Sequence, residues 1–234
     1  MKSYTRACWE NKMQKNRNRD RLKQEAVRYL GYGRNAVDKQ VSALIDSSFL
    51  ELESVANPKF IYRIFDLDHV DADEIHFGQI DVKSKSLGRN LKGCKQIVLF
   101  GATLGIAVDQ LMTRKAIRDM AQAVVMQACA AALLEEYCDE CQEKIAEEVG
   151  REGGFLRPRF SPGYGDFSID FQKQLMQLLD CAKTIGLTMT ESYMMTPVKS
   201  VTAVIGVSAQ DAGCKKVPCK ECEKKDCKYR RDNI

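Results

Sequence analysis

The run from Ala121 to Leu134 is small and apolar nearly all the way round a helical projection. A helix with no polar face has to pass through the interior, with other elements packed about it. The chain must therefore supply elements on several sides of one segment. The helical pattern around that segment extends from about Val108 to Glu148 with one expected break, and turns amphipathic and acidic at Glu135-Glu136-Tyr137. At 234 residues, the chain is long enough to build such a core in one large domain or two small ones.

The surrounding elements follow from periodicity. Lys95-Gln-Ile-Val-Leu-Phe100 is the clearest buried strand. It leads into Gly101-Ala-Thr-Leu-Gly105 and then the long helical pattern. A strand, a glycine turn and a helix can cradle an anion. Here the spacing fits neither a P-loop nor a dinucleotide fingerprint, so a tight strand-to-helix turn is expected. Asp109, near the start of that helix, suits the dipole. Helices are predicted over Arg19–Leu30, ended by Gly31, and over Asp38–Ala56, ended by Pro58. Val41, Leu44, Ile45, Phe49, Leu52 and Val55 form the apolar stripe of the second. Phe60–Phe65 and Gln79–Val82 read as strands, and Ser86–Leu91 as a helical turn. Asp170–Thr184 reads as one amphipathic helix with Gly186 as its C′ residue. Leu187–Met195 and Val201–Val207 alternate like two strands of a hairpin joined around Pro197. The fold class expected is α+β: a mainly antiparallel sheet with packed helices, including a long buried central helix.

The formal net charge of +4 is concentrated locally. Lys12, Lys15, Arg17, Arg19, Arg21, Lys23, Arg28 and Arg34 crowd the N-terminal part. Such an arm can meet nucleic acid or an acidic partner, but a solvated helix face is the preferred reading, and no nucleic-acid partner is expected. No apolar run is long enough to cross a bilayer and the N-terminus lacks an apolar h-region, so a cytoplasmic protein without a membrane partner is expected. His69 and His76 lie among Asp66, Asp68, Asp71, Asp73 and Glu74 without a tight ligand repeat, which favours an exposed loop over a metal site. Cys138 and Cys141 are one helical turn apart, outside any βαβ context, and read as semi-buried thiols.

Of the ten cysteines, four stand in Cys214-x4-Cys219-x2-Cys222-x4-Cys227. Four clustered thiolates can close around a tetrahedral zinc or an iron–sulfur cluster, and the spacing leaves both open. The chain thus divides into a basic N-terminal arm (1–24), a central domain (25–208) and a cysteine-rich metal-binding tail (209–234).

The segment most suited to a small ligand is Arg157-Pro-Arg-Phe-Ser-Pro-Gly-Tyr-Gly-Asp166. Its prolines restrict the backbone. Gly163 and Gly165 allow conformations closed to other residues and a close approach to the main chain. Arg159 offers a planar fork for a carboxylate, and Tyr164 an aromatic face with a polar tip.

This loop, read as Arg159-Phe-Ser-Pro-Gly163-Tyr164, resembles the Arg-x-x-x-Gly-Tyr motif of the activation domain of cobalamin-dependent methionine synthase. Leu187-Thr-Met-Thr-Glu-Ser-Tyr-Met-Met-Thr-Pro197 resembles that family's Leu-Thr-Glu-Ser segment, and Ala102-Thr-Leu-Gly105 with Val108-Asp109 resembles its stand-alone members. The resemblance covers about residues 25–208. It implies binding of S-adenosylmethionine, with Arg159 on the carboxylate, the backbone around Ser161–Gly163 near the adenine and Tyr164 lining the pocket. It further implies an acidic residue on the long helix, Glu135 or Glu136, and a pocket or structural role for Glu191. Cobalamin would be carried by a partner protein, a corrinoid-binding methyltransferase module. The family's task is to reactivate oxidised cobalamin by reductive methylation, which calls for an electron donor such as flavodoxin or ferredoxin. The chain departs from the pattern at Gly165-Asp166, where the family has Pro after Tyr, and in its cysteine tail. The competing reading is a metal- or iron–sulfur-bearing interaction or regulatory protein that keeps the fold without the reactivation activity.

Overall fold

A computed structural model describes residues 2–4, 16–32, 36–71 and 73–210. The elements run β1 (Lys2–Tyr4), α1 (Asn16–Tyr29), α2 (Lys39–Val55), β2 (Lys59–Asp66), β3 (His69–Val70), β4 (Glu74–Phe77), β5 (Ile80–Lys83), α3 (Lys85–Leu91) and β6 (Cys94–Thr103). They continue with α4 (Ile106–Arg118), α5 (Met120–Gly150), β7 (Phe155–Leu156), α6 (Phe171–Leu178), α7 (Cys181–Thr184), β8 (Thr188–Met189), β9 (Met195–Thr196) and β10 (Ser200–Ser208). The chain divides into two compact units. One comprises β1, Lys59–Thr103 and the described chain from Cys138 onward; the other takes the described chain from Asn16 to Pro58 and Leu104–Tyr137.

The first unit is built on a five-stranded sheet of order β1-β2-β6-β10-β7, with every pair antiparallel. Its middle strand, β6, is buried from Ile97 through Thr103. A strand covered on both faces has no need of polar alternation, which is why this stretch reads as a continuous apolar run. Ile97 and Leu99 face a core that contains Phe77, Leu87, Leu91, Phe167, Phe171 and Leu175. Lys144 and Glu148 of α5 meet neighbouring β2: the ammonium sits 5.9 Å from the Phe60 ring, and Glu148 accepts the Tyr62 hydroxyl at 2.8 Å. Two small sheets complete the unit, β3-β4-β5 and the pair β8-β9.

The second unit is helical. The Asp38 carboxylate caps α2 by accepting the Val41 amide, and Ile45, Phe49 and Leu52 are buried. The first half of α5 supplies Met126, Cys129, Ala130 and Leu133, all buried, as its apolar composition demands. Burial pushes the Cys129 thiol up to about 12, so it stays protonated. The basic residues of α1 are largely matched internally. Arg19 makes a forked pair with Glu53, Lys23 meets Asp46, and Arg21 approaches Glu136 at 3.8 Å. This pairing reduces the free positive charge that a nucleic-acid surface would need.

The α+β class, the antiparallel sheet and the long α5 agree with expectation. The break in the long helical pattern falls at Asp119. Five local expectations need correction. The strand does not stop before Gly101 but continues to Thr103, because β10 pairs with it along that whole length. The helix expected over Asp170–Thr184 is two, α6 and α7, broken at Asp180, which takes a left-handed φ of 50°. Leu187–Met195 does not pair with Val201–Val207: β8 pairs with β9, while β10 lies between β6 and β7. Cys138 and Cys141 are fully buried rather than half-buried, and neither forms a disulfide. The acidic stretch around the histidines forms strands, with His69 opposite His76. Asp81 holds the His76 imidazole above its usual value through a 2.6 Å contact, and no cluster suited to a metal occurs among the described residues. The tail cysteines lie outside the described residues. No helix among the described residues is long and apolar enough to cross a membrane.

Phe100 is fully buried in the central strand. Phe100→Ala should cost about 3–5 kcal/mol of stability, whereas Leu50→Ala, at a side chain 63% exposed, should stay within about 0.5 kcal/mol of wild type. Denaturant titration of both variants checks the contrast.

Candidate functional site

The loop between β7 and α6 is tied to the edge of β10 at two points. Arg157 donates its amide to the Gly206 carbonyl at 2.8 Å, and Phe160 and Val204 exchange both backbone bonds at 2.9 Å. Beyond Phe160 the chain makes a tight excursion. The Tyr164 amide donates to Ser161 O at 3.3 Å, the Gly163 amide to Phe167 O at 2.8 Å, and the Phe167 amide to Tyr164 O at 3.0 Å. Gly163 and Gly165 take φ of +90° and +58°, conformations that disfavour a side chain. Phe167 anchors the excursion: its ring lies 6.1 Å from Phe160 and 5.2 Å from Phe171. Ser161 is half-buried and Pro162 buried, while Tyr164 stands 68% exposed at the tip.

Arg159 points back to α5. Its guanidinium donates to Asp139 Oδ1 at 2.7 Å and to Gln142 Oε1 at 2.9 Å, with only 14% of the side chain exposed. The acidic partner of Arg159 is thus Asp139, one turn further along the helix than Glu135 and Glu136. Glu135 is exposed and Glu136 faces Arg21. In the sequence, Asp139 and Gln142 form an i, i+3 pair on an acidic helix, next to the adjacent glutamates.

Asp166 closes the loop. Its carboxylate accepts the Ser84 hydroxyl at 2.8 Å and the amides of Lys85 and Ser86 at 2.8 and 2.9 Å. The Ser86 amide contributes most, with the Ser84 hydroxyl and Lys85 amide adding to it, and together they hold the carboxyl well below the usual carboxylate range. A Cβ on Gly165 would come within 2.7 Å of Ser86 Oγ, so the preceding residue must be bare for Asp166 to reach α3. Nothing in the sequence alone marks this bond, since its partners lie some eighty positions apart.

Glu191 lies in the turn between β8 and β9, exposed, and no hydrogen bond or ion pair joins it to the Arg159–Tyr164 loop. The turn itself is well held. Gln172 Nε2 donates to the Tyr193 carbonyl at 3.0 Å, and Tyr193, with φ of 61°, gives its hydroxyl to Asp170. That bond lowers the Asp170 carboxyl and raises the Tyr193 phenol.

An α+β unit with a glycine–tyrosine loop stapled between a sheet edge and an acidic helix is the architecture of a known class. Among solved structures, a crystal structure of the MetH reactivation domain bound to AdoHcy matches with a TM-score of 0.54 and 19% identity, over 81% of this chain and 77% of that one. That likeness establishes the fold. The family model for the activation domain of vitamin B12-dependent methionine synthase matches residues 87–227, more than half of the chain. The chain belongs to that family. No curated protein sequence matches it.

Asp166→Ala should lower the thermal midpoint at neutral pH. Because the folded carboxyl is shifted down, its contribution is present above the ordinary carboxylate value of about 4 and is lost as pH falls through the lower folded value. The gap between wild type and variant should therefore narrow as the pH drops from 5 towards 3, and a gap constant over that range would contradict the assignment.

Proposed function

We propose that this protein is a reactivation subunit that binds S-adenosylmethionine and serves a separate corrinoid-dependent methyltransferase. The observation that carries the reading is the ion pair of Arg159 with Asp139 beside the Gly163–Tyr164 turn, in a chain of the activation-domain family. The amino-acid end of S-adenosylmethionine is a zwitterion. Its carboxylate can take the guanidinium of Arg159 while its ammonium takes the carboxylate of Asp139, so one ion pair is exchanged for two with no charge left alone. The exposed Tyr164 ring supplies a face for the adenine, and Gly163 lets the base approach the main chain closely. Ser161 would add its backbone at the base. Glu191, exposed on its turn, would be a further acid for the positive ligand. Glu135 and Glu136 retain a supporting role as acids one turn upstream of Asp139.

Cobalamin in this reading is carried by the partner protein and supplies the methyl-accepting metal centre. The chain's own residues fit a docking role at that place: Tyr164 is exposed, and Ile169, 39% exposed, lies against Gly163. Both can exclude water at the face that holds the donor methyl. An electron donor such as flavodoxin or ferredoxin completes the requirement. Cys214, Cys219, Cys222 and Cys227 are proposed as the ligands of a zinc ion or an iron–sulfur cluster. Iron, sulfide and zinc analysis of anaerobically purified protein decides between them, and a metal-free preparation would remove the tail from the proposal.

Calorimetry of S-adenosylmethionine, with and without a cobalamin protein, tests the main reading. Arg159→Ala should weaken binding at least about tenfold, roughly 1.4 kcal/mol, with Arg159→Lys falling between. Asp139→Asn fixes the sign: it should weaken binding if Asp139 holds the ammonium, and strengthen it if Asp139 only competes for Arg159. No detectable binding by the wild-type chain would overturn the proposal.

A further inference from the structure

The first unit contains a concavity beside α3 with a volume of about 710 Å³. Lys85, Arg89 and Lys92 line it from the helix, joined by Val70 and Asp71 from the β3 end and by glycines 88 and 93. Lys85 and Arg89 stand at i and i+4 on one face of α3, and Lys92 follows as its C-cap residue. Leu87 and Leu91 on the other face are buried in the core.

Several cations elsewhere in the chain are answered by carboxylates. Arg19, Arg21, Lys23, Arg28, Lys83, Lys115, Arg159 and Lys183 each meet a carboxylate. Lys85, Arg89 and Lys92 form no ion pair among the described residues, although all three are exposed and share one wall. Arg89 has only a 3.4 Å contact with Ser86 Oγ. Like charges at this spacing repel and cost stability. Asp71 is the single carboxylate in the lining, so the concavity remains net positive. The cations extend over roughly 10 Å of helix axis, at about 1.5 Å per residue. A lone carboxylate cannot span that distance, whereas a chain of phosphates can. The volume lies within the range of about 300–1,000 Å³ typical of small-molecule sites. S-adenosylmethionine, itself net positive, does not suit such a wall. The first amides of α3 are already taken by Asp166, so recognition here falls to the side chains.

We propose that this concavity is a second ligand site, for a polyphosphate-bearing small molecule of nucleotide size. The site adjoins the Arg157–Asp166 loop through α3, but Arg159 is not among its lining residues and the proposal does not depend on S-adenosylmethionine binding.

The test is calorimetry of the full chain with inorganic triphosphate and with ATP, at fixed ionic strength. Saturable one-to-one binding of triphosphate is expected, weakened at least tenfold in the double variant Arg89→Ala/Lys92→Ala. The matched double variant Lys39→Ala/Lys173→Ala, which removes two exposed cations elsewhere, should bind as wild type. ATP binding tighter than triphosphate would support the site and show that the apolar lining reads a base; equal binding would support a site for the phosphates alone. Failure of both probes to saturate, or equal weakening by the two double variants, would overturn the proposal. Unchanged circular dichroism and thermal midpoints verify that the variants are folded; if the alanine pair is not, Lys92→Glu alone is read for the same tenfold loss.

Discussion

The bond network of the Asp166 carboxylate governs the geometry of the loop. One residue satisfies the Ser84 hydroxyl and the first amides of α3, and in doing so fixes the far end of the Arg157–Asp166 excursion. The near end is fixed by the backbone bonds of Arg157 and Phe160 to β10. Two further contacts reach from the loop to α3: Arg157 Nη2 donates to Lys92 O at 3.2 Å, and Asn90 Nδ2 to Pro158 O at 3.5 Å. The helix is therefore attached to the loop at both ends, and neither can move independently. Because the carboxylate's donors are mostly backbone amides, the arrangement depends on α3 being folded rather than on the identity of its side chains.

Against that frame, Arg159 is in a different situation. Its charge is already answered by Asp139 and shared with Gln142. Holding the guanidinium in place reduces the ordering that a ligand would have to impose, at the cost of a competing carboxylate. A simple anion would have to displace Asp139 without offering it a new partner. A zwitterion offers one. In the proposed reading, the pair would discriminate between ligands of the same size by their charge arrangement, which a lone arginine would not do.

Most of the architecture was legible in the residues. The continuous apolar run Ile97–Phe100 is buried as its composition demands, and so is most of Ala121–Leu134, although Ala121, Val124 and Gln127 give that helix an exposed edge that its composition does not announce. The second helix was expected to begin at Asp38, which the structure shows to be its cap. Long-range partners were not readable. Leu187–Met195 alternates, but alternation does not name a partner, and β10 was claimed on both sides by β6 and β7. The helix break at Asp180 depends on a left-handed φ that an aspartate tolerates without advertising. The glycines and Arg159 of the loop stand out in the residues, whereas the bond of Arg159 to Asp139 does not, because periodicity gives a stripe and not a contact.

Gly165-Asp166, where the motif resemblance leads one to expect a proline, holds the loop by hydrogen bonds to α3. A proline after Tyr164 would fix one backbone angle covalently. Here Gly165 adopts φ of +58°, which a proline cannot, and Asp166 supplies hydrogen bonds to α3 in place of a ring. Covalent restraint acts in the unfolded chain as well as the folded one. The hydrogen-bonded clamp acts only when α3 is present, and it weakens when the carboxylate is protonated. In this chain the placement of Tyr164 is therefore coupled to the folding of α3 and to the charge of a single side chain, so the loop's order is a property of the unit and not of the loop.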